Sequence, residues 1–348
     1  MSPAARSALV LQGGGALGAY ELGAARRLYQ DAAFAPDVIA GVSIGAITAV
    51  LLARPARGRR PLQALEEFWQ RVTVSDWLVP PPLRPIAVSL LGNRHFFVPR
   101  SDVLTLPNWT NIYDTAPLRQ TLAELVDRDA LADPLAVPQL LVTATDVEAG
   151  QIRCFHSRDG KLGLEHIVAS GSLPPSFAMT KIESTYYWDG GLFDNTPLGA
   201  VLDMLDDGPG VNRTVYVVNL FPNKAPLPRS MPEVLERMLN LQFANKTRED
   251  LKLMCRFDEV AQLMEALESL PKNHALRNHP AFRAVKKRGY VRVPRIVPIT
   301  RPEQAGGFDG SDFSPETIRK RADEGYAATD RALALPQDAS PCAELWPS

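Results

Sequence analysis

A serine placed between two glycines is the first feature of this chain whose residue types could do chemistry. The sequence Gly41-Val-Ser43-Ile-Gly45 follows the apolar run at 38–40 and leads into an alanine-rich segment. The spacing G-x-S-x-G is typical of a nucleophile elbow, because the two glycines permit a sharp turn from strand to helix. A serine in that turn lies at a helix N-terminus, where N–H groups and the helix dipole stabilise negative charge. Ser43 is therefore the candidate nucleophile, and Gly41 and Gly45 support its turn.

A run of glycines early in the chain could supply donors to an oxyanion. Gly13, Gly14 and Gly15, followed by Gly18, come directly after an apolar run. Successive N–H groups without side chains suit the negatively charged oxygen of a tetrahedral intermediate. We therefore expect an oxyanion hole formed by the N–H groups of Gly13, Gly14, Gly15 and Ile44, with Gly18 supporting the loop.

The same glycines also match the dinucleotide-binding fingerprint G-x-G-x-x-G, which is weak evidence when it stands alone. That function requires an acidic residue at the end of the second strand, where it would hold the ribose. Here the second strand ends in Ala40-Gly41, and Asp37 stands at its beginning. Nucleotide binding is therefore the less favoured interpretation of the glycine run.

An aspartate followed by two glycines, Asp189-Gly190-Gly191, could supply a general base. Apolar and aromatic residues stand on both sides of it. A carboxylate that such residues partly bury has a raised pKa and is a stronger base. Asp189 is therefore the candidate base, with Gly190 and Gly191 supporting its turn. Asp194 is an alternative carboxylate that is better suited to capping the turn that follows.

Histidines offer a second set of candidate bases. His274 and His279 follow the aspartate in the sequence, so a Ser-Asp-His triad in the chain order of α/β-hydrolases is open. Both stand in a polar stretch outside the predicted sheet. His156 at the end of a predicted strand and His166 at the start of a predicted helix have simpler structural places.

The order of the three motifs, G-G-G-x-x-G, G-x-S-x-G and D-G-G, resembles the patatin-like phospholipase family, and so does the segment from Ala169 to Pro175. The resemblance covers roughly residues 7 to 220. It implies a lipid acyl hydrolase of the phospholipase A type that uses a Ser-Asp dyad, Ser43 with Asp189. Two departures matter: Gln12 stands where many members have Asp, and Leu17 stands where many have Arg or Lys.

The elements that position these residues alternate between strand and helix. Parallel strands joined by a helix place both glycine turns at the same edge of a sheet. The resemblance implies a three-layer α/β/α sandwich with a mostly parallel sheet and the elbow after the second strand. We expect an acyl hydrolase domain over residues 1–300, with its motifs at 7–220 and a helical part at 231–290. A C-terminal helical extension over 301–348 follows it.

A proline-rich apolar segment, from Leu78 to Pro99, lacks a clear helical period, and loops of this kind are often lids or binding loops. Packing on the core is the alternative. The lid hypothesis places exposed apolar side chains at the mouth of the site, where they could touch a membrane. Its candidate residues are Leu83, Ile86, Phe96 and Phe97.

The composition limits the classes of function. Of the 348 residues, 45% are hydrophobic and 22% are charged, and the net charge of −1 gives no bulk attraction for nucleic acid. Three scattered cysteines argue against a disulfide framework and for a reducing compartment. With neither a signal peptide nor an apolar run of spanning length, we expect a cytoplasmic protein with peripheral membrane contact at most.

The expected substrate is an acyl lipid or another ester, and neither a cofactor nor a metal is expected. The oligomeric state is not legible from the sequence. A soluble carboxylesterase or thioesterase that acts on monomeric substrates is the alternative enzyme. A lipid-binding or scaffold protein without turnover is the alternative outside enzymes.

Overall fold

The computed structural model describes residues 5–74, 84–102, 109–205, 211–221, 226–288, 294–302 and 309–335. Within these ranges, strands and helices alternate through most of the chain. The strands are β1 (Ala5–Leu11), β2 (Val38–Gly41), β3 (Val98–Pro99), β4 (Tyr113–Asp114), β5 (Gln139–Asp146), β6 (Gln151–His156), β7 (Thr180–Ile182), β8 (Thr185–Asp189), β9 (Asn212–Asn219) and β10 (Arg295–Thr300). The helices are α1 (Ala19–Leu28), α2 (Ile44–Ala53), α3 (Pro61–Val72), α4 (Arg84–Leu91), α5 (Ala116–Leu125), α6 (Arg128–Leu131), α7 (Leu164–Ser170), α8 (Leu198–Leu202), α9 (Met231–Glu268), α10 (Ala275–Asn278), α11 (Pro280–Arg288) and α12 (Pro315–Leu333).

The central sheet has the strand order β10-β9-β1-β2-β5-β8-β7, and β6 pairs with β5. The pairs from β10 to β5 are parallel, whereas β6 and β8 run antiparallel to β5. Parallel strands need a crossover connection, which α1 supplies between β1 and β2. The prediction of a mostly parallel sheet is confirmed.

Helices cover both faces of this sheet. Alternate residues of β1 point to opposite faces: Leu9 and Leu11 belong to the larger core cluster, and Ala8 and Val10 belong to the smaller one. The larger cluster is shared with α1, α2, α3, α5, α7 and α12, and the smaller one with α8. This arrangement is the predicted three-layer α/β/α sandwich.

The C-terminal helix α12 packs directly on α1. The two backbones come so close that a Cβ atom on Gly23 would collide with the carbonyl of Ala322. The guanidinium of Arg321 donates to the carbonyl oxygens of Ala16 and Asp312 at 3.0 and 3.1 Å. The helix therefore shares the main core, while the domain boundary at residue 300 stays a prediction.

The structure corrects the expectation that Phe96 and Phe97 are exposed. Both side chains are 7% exposed and belong to the main core cluster. Phe97 lies 4.7 Å from Tyr113 and 5.7 Å from Phe177 between ring centroids. Aromatic contacts of this kind bury large apolar area, so these two residues form a wall and not a mobile cover. Leu83 and the side chain of Ile86 lie outside the described residues.

Two further expectations concern the cysteines and membrane-spanning helices. Cys255 is disulfide-bonded and Cys154 keeps its thiol, so one disulfide is present, while the expectation against a framework of several disulfides stays a prediction. In the described parts of the chain, no helix is both long and apolar enough to cross a membrane.

Candidate active site

The strand pairing of the central sheet brings Ser43 and Asp189 close together. Gly41, the last residue of β2, pairs with Val142 of β5. Asp189, the last residue of β8, pairs with Ala144 of the same strand. Ser43 lies two residues beyond Gly41, just as Ala144 lies two residues beyond Val142. The strand β5 therefore acts as a common neighbour that places the hydroxyl beside the carboxylate.

The backbone of Ser43 has the geometry of a nucleophile elbow. Its φ of 56° and ψ of −124° lie outside the regions that a serine ordinarily occupies. Such strain persists only where the surroundings fix it. One fixing contact is the N–H of Ser43, which donates to the hydroxyl oxygen of Ser170 at 2.9 Å. Gly45 is necessary because its Cα lies against the carbonyl of Leu11, leaving no space for a Cβ atom.

Asp189 is a buried carboxylate with a raised pKa. It is 2% exposed, and burial raises the pKa of its carboxyl from 3.8 to about 7. Hydrogen bonds from the Ser43 hydroxyl and from the N–H of Gly191, the latter at 2.8 Å, oppose that rise. Gly190 is required at the next position, because a Cβ atom there would lie 2.6 Å from the carbonyl oxygen of Thr143.

Three of the four expected oxyanion donors are available. In the described part of the chain, no acceptor binds the N–H groups of Gly14, Gly15 and Ile44. Gly15 has a φ of +57°, which favours glycine, and Ile44 is the first residue of α2. The expectation for Gly13 is wrong, because its N–H donates to Oδ1 of Asn195 at 3.0 Å. The N–H of Gly13 therefore holds the loop, although Gly13 itself lines the cavity.

Two amide side chains that the sequence analysis did not assign hold the glycine loop. Nδ2 of Asn195 donates back to the carbonyl of Gly13 at 3.2 Å, so this amide binds both polar groups of one glycine. Gln12 donates to the hydroxyl of Thr196 at 2.6 Å and accepts from the N–H of Leu220 at 2.7 Å. These bonds tie the glycine loop to the segment after Asp189. In the sequence, the Asn-Thr pair that begins six residues after Asp189 is the signal that could have indicated this contact with the glycine loop.

Ser43 and Asp189 line a cavity of about 350 Å³. Its walls are mostly apolar and include Leu17, which stands where many members of the resembled family have Arg or Lys. Arg301, a buried residue just after β10, also lies in the lining. The aromatic rings of the wall are those of Phe96, Phe97, Tyr113, Phe177, Phe221, Phe243 and Phe313.

The histidines considered as bases lie elsewhere. Nδ1 of His274 accepts the N–H of Leu276 in α10, Nδ1 of His279 accepts the N–H of Ala281 in α11, and both side chains are exposed. Nδ1 of His156 lies 3.2 Å from the sulfur of Met204, and Nδ1 of His166 accepts from the N–H of Gly163. Among the described residues, the cavity lining contains no histidine. Asp194 accepts from the N–H of Thr196 at 3.0 Å, as expected for a turn cap.

The remaining glycines of the motifs permit close packing. A Cβ atom on Gly18 would lie 2.5 Å from Cγ1 of Ile44, and one on Gly191 would lie 2.9 Å from Oδ1 of Asn195. Gly41 lies against the backbone of Gly45. Within the described ranges, no group of three or more metal-ligating side chains is present.

Fold and site together define an α/β/α protein with an elbow serine and a buried aspartate. The sequence profile described as Patatin-like phospholipase matches residues 9–202, and a second one, described as Patatin phospholipase, matches residues 241–344. The chain belongs to the patatin-like phospholipase family. A search of the curated proteins found no match.

Solved structures similar to the chain include VipD from Legionella pneumophila, at 15% identity and a TM-score of 0.38 over 94% of this chain and 66% of that one. The type III effector protein ExoU is similar at 14% identity and a TM-score of 0.38 over 97% of this chain and 54% of that one. The chain thus spans about half to two thirds of the length of these proteins.

Proposed function

We propose that this protein hydrolyses carboxylic esters of acyl lipids, with Ser43 as the nucleophile and Asp189 as the general base. The observation that supports this most is a strained elbow serine and a buried carboxylate together in the wall of one apolar cavity. Membership of a family described as phospholipases points to the same class of reaction. An apolar cavity fits an acyl chain.

In the proposed first step, Asp189 takes the proton of the Ser43 hydroxyl while Oγ attacks the ester carbonyl carbon. The resulting oxyanion accepts hydrogen bonds from the N–H groups of Gly14, Gly15 and Ile44. The bond to the alcohol then breaks, and Asp189 returns the proton to the leaving oxygen. The acyl group remains on Ser43.

In the second step, Asp189 takes a proton from a water molecule whose oxygen attacks the acyl carbonyl carbon. Collapse of the second oxyanion breaks the bond to Ser43, whose oxygen receives the proton from Asp189. A carboxyl pKa of about 7 suits a group that must both accept and donate a proton near neutral pH. Each oxyanion donor typically contributes about 2.7–4 kcal/mol to lowering the barrier.

A soluble carboxylesterase or thioesterase is the second candidate. The observation in its favour is Leu17 in the cavity wall, because an apolar side chain at that position gives no attraction for a phosphate group. A non-catalytic lipid-binding protein is the least favoured candidate, since it needs neither the strained serine nor the buried carboxylate.

The test is a panel of p-nitrophenyl esters of increasing chain length, an acyl thioester, and phosphatidylcholine vesicles. We expect ester hydrolysis that Ser43→Ala and Asp189→Asn each abolish, with release of fatty acid from the vesicles. Hydrolysis of soluble esters or thioesters without any action on vesicles would favour the second candidate. Lack of turnover on every substrate would contradict the proposal.

A further inference from the structure

The long helix α9 has two apolar faces. On one face, Leu239 and Phe243 line the cavity that contains Ser43. On another face, Met231, Met238 and their neighbours at helical spacing are exposed to solvent. The members of this outer stripe are Met231, Val234, Met238 and Leu241. Their spacing of three and four residues puts them in one row along the helix.

Helical geometry separates the two faces. At about 100° per residue, the stripe covers an arc of about 80°, and Phe243 lies on roughly the opposite side of the helix. The exposed fraction is 69% for Met231 and 57% for Met238. A helix that packs over a cavity with one apolar face does not usually expose a second apolar row to water, so this row is a candidate contact surface.

Two other segments beside the cavity also expose large apolar side chains. Leu90 and Leu91 at the end of α4 are 71% and 72% exposed. The helix α4 packs against the turn at 309–311, whose residues line the cavity. Ile112 is exposed as well, and its N–H donates to the carbonyl of the lining residue Ser176. These exposed side chains lie on three separate segments around one cavity, while other exposed apolar side chains lie away from it, among them Phe257 and Leu263 further along α9.

We propose that this surface, formed by the α9 stripe together with Leu90, Leu91 and Ile112, docks on a lipid bilayer and brings the cavity to its substrate. This inference rests on the proposed function, because the docked surface would be the place where the acyl chain of a lipid substrate passes from the bilayer into the cavity. A bilayer fits better than a second copy of the chain. Pairing through a helix would use the stripe alone and would leave the apolar residues of α4 and the 112 region uncovered.

The kind of bilayer follows from charge. The net charge of the chain is −1, so bulk attraction to an anionic surface is absent. Docking must then depend on apolar side chains that leave water, each of which favours transfer. The surface should bind zwitterionic phosphatidylcholine vesicles, with little effect of salt because screening acts on charges.

The test uses the full chain with Ser43→Ala throughout, so that vesicle binding is measured without hydrolysis. In this background, Met238→Gln with Leu241→Gln removes two members of the stripe, and Met231→Gln with Val234→Gln removes the other two. Leu135→Gln is the matched control, because Leu135 is 86% exposed and precedes β5, at the end of the sheet away from the site. Circular dichroism confirms that each variant is folded.

In co-sedimentation with phosphatidylcholine vesicles, we expect each double substitution to weaken binding about tenfold or more, which is about 1.4 kcal/mol. The control should bind as the parent does, and raising the salt to about 1 M should not release the protein. Equal binding by stripe variants and control, or release by salt, would overturn the proposal. So would size-exclusion evidence that the stripe holds a dimer which ignores vesicles.

The outcomes also separate the surface from the reaction. If the Ser43→Ala chain binds vesicles and the stripe substitutions weaken that binding, the proposed docking surface is supported even if the active chain hydrolyses no ester. Hydrolysis of soluble esters without vesicle binding leaves the reaction standing and overturns the surface.

Discussion

Replacing Asp189 by asparagine should remove hydrolysis and also change how stability depends on pH. Asparagine keeps the shape of the side chain and can still accept the N–H of Gly191, but it cannot take a proton from Ser43. In the folded chain the carboxyl pKa is about 7, compared with an ordinary value of 3.8. The folded state therefore holds this proton more tightly than the unfolded state does.

Because protonation of Asp189 is linked to folding, its two pKa values determine the direction in which stability changes with pH. The stability that this group contributes is full below pH 3.8 and is lost as the pH rises through about 7, where the buried carboxylate must ionise. Between about pH 5.5 and pH 8.5, the loss amounts to about 2 kcal/mol of the free energy of unfolding. Asp189→Asn has no carboxyl to titrate at this position. Over this pH interval its free energy of unfolding should therefore rise by about 2 kcal/mol relative to that of the natural chain.

Urea unfolding at the two pH values measures the effect. Ser43→Ala is the matched control, since it also lacks the nucleophile but keeps the buried carboxyl. It should retain the decline in stability that Asp189→Asn loses. If Asp189→Asn and the natural chain decline equally, the reasoning about the buried carboxyl is refuted. If Asp189→Asn still hydrolyses esters, the general-base role is refuted.

Three further outcomes are expected. First, kcat/KM for a soluble ester should rise with pH and level off above about 7, because Asp189 acts in its ionised form; a flat profile from pH 5 to 9 would contradict this. Second, Asn195→Ala leaves the buried N–H of Gly13 without its acceptor, which costs about 1–3 kcal/mol of stability. It should lower kcat more than it raises KM, so a change in KM alone would count against a positioning role. Third, Phe97→Ala should cost about 3–5 kcal/mol of stability in thermal or urea unfolding, whereas an unchanged melting temperature would favour the exposed lid after all.

The sequence predicted the fold to the extent that local patterns determine it. Glycine turns after apolar runs identified two parallel strands joined by a helix and placed both turns at one edge of the sheet. The register between β5 and β8, which sets Asp189 beside Ser43, is a long-range pairing that no local pattern encodes. Only the resemblance to a family joined these two residues before the structure did.

The errors share a physical cause. Gly13 resembles its neighbours in sequence, but its N–H is occupied by an amide from a distant segment. Phe96 and Phe97 stand in a proline-rich stretch without helical period, so their burial depends on rings contributed by residues far along the chain. The apolar stripe on α9 has ordinary helical spacing, and only the exposure of its side chains distinguishes it from a core-facing helix.

The proposed mechanism depends on an elbow serine that is an activated nucleophile served by a buried aspartate. Its most direct test is the rate of labelling by a fluorophosphonate probe, followed by mass spectrometry of the modified peptide. We expect one label, on Ser43, with none in Ser43→Ala and much slower labelling in Asp189→Asn at neutral pH. Labelling that persists in Ser43→Ala, or that is unaffected in Asp189→Asn, would contradict it.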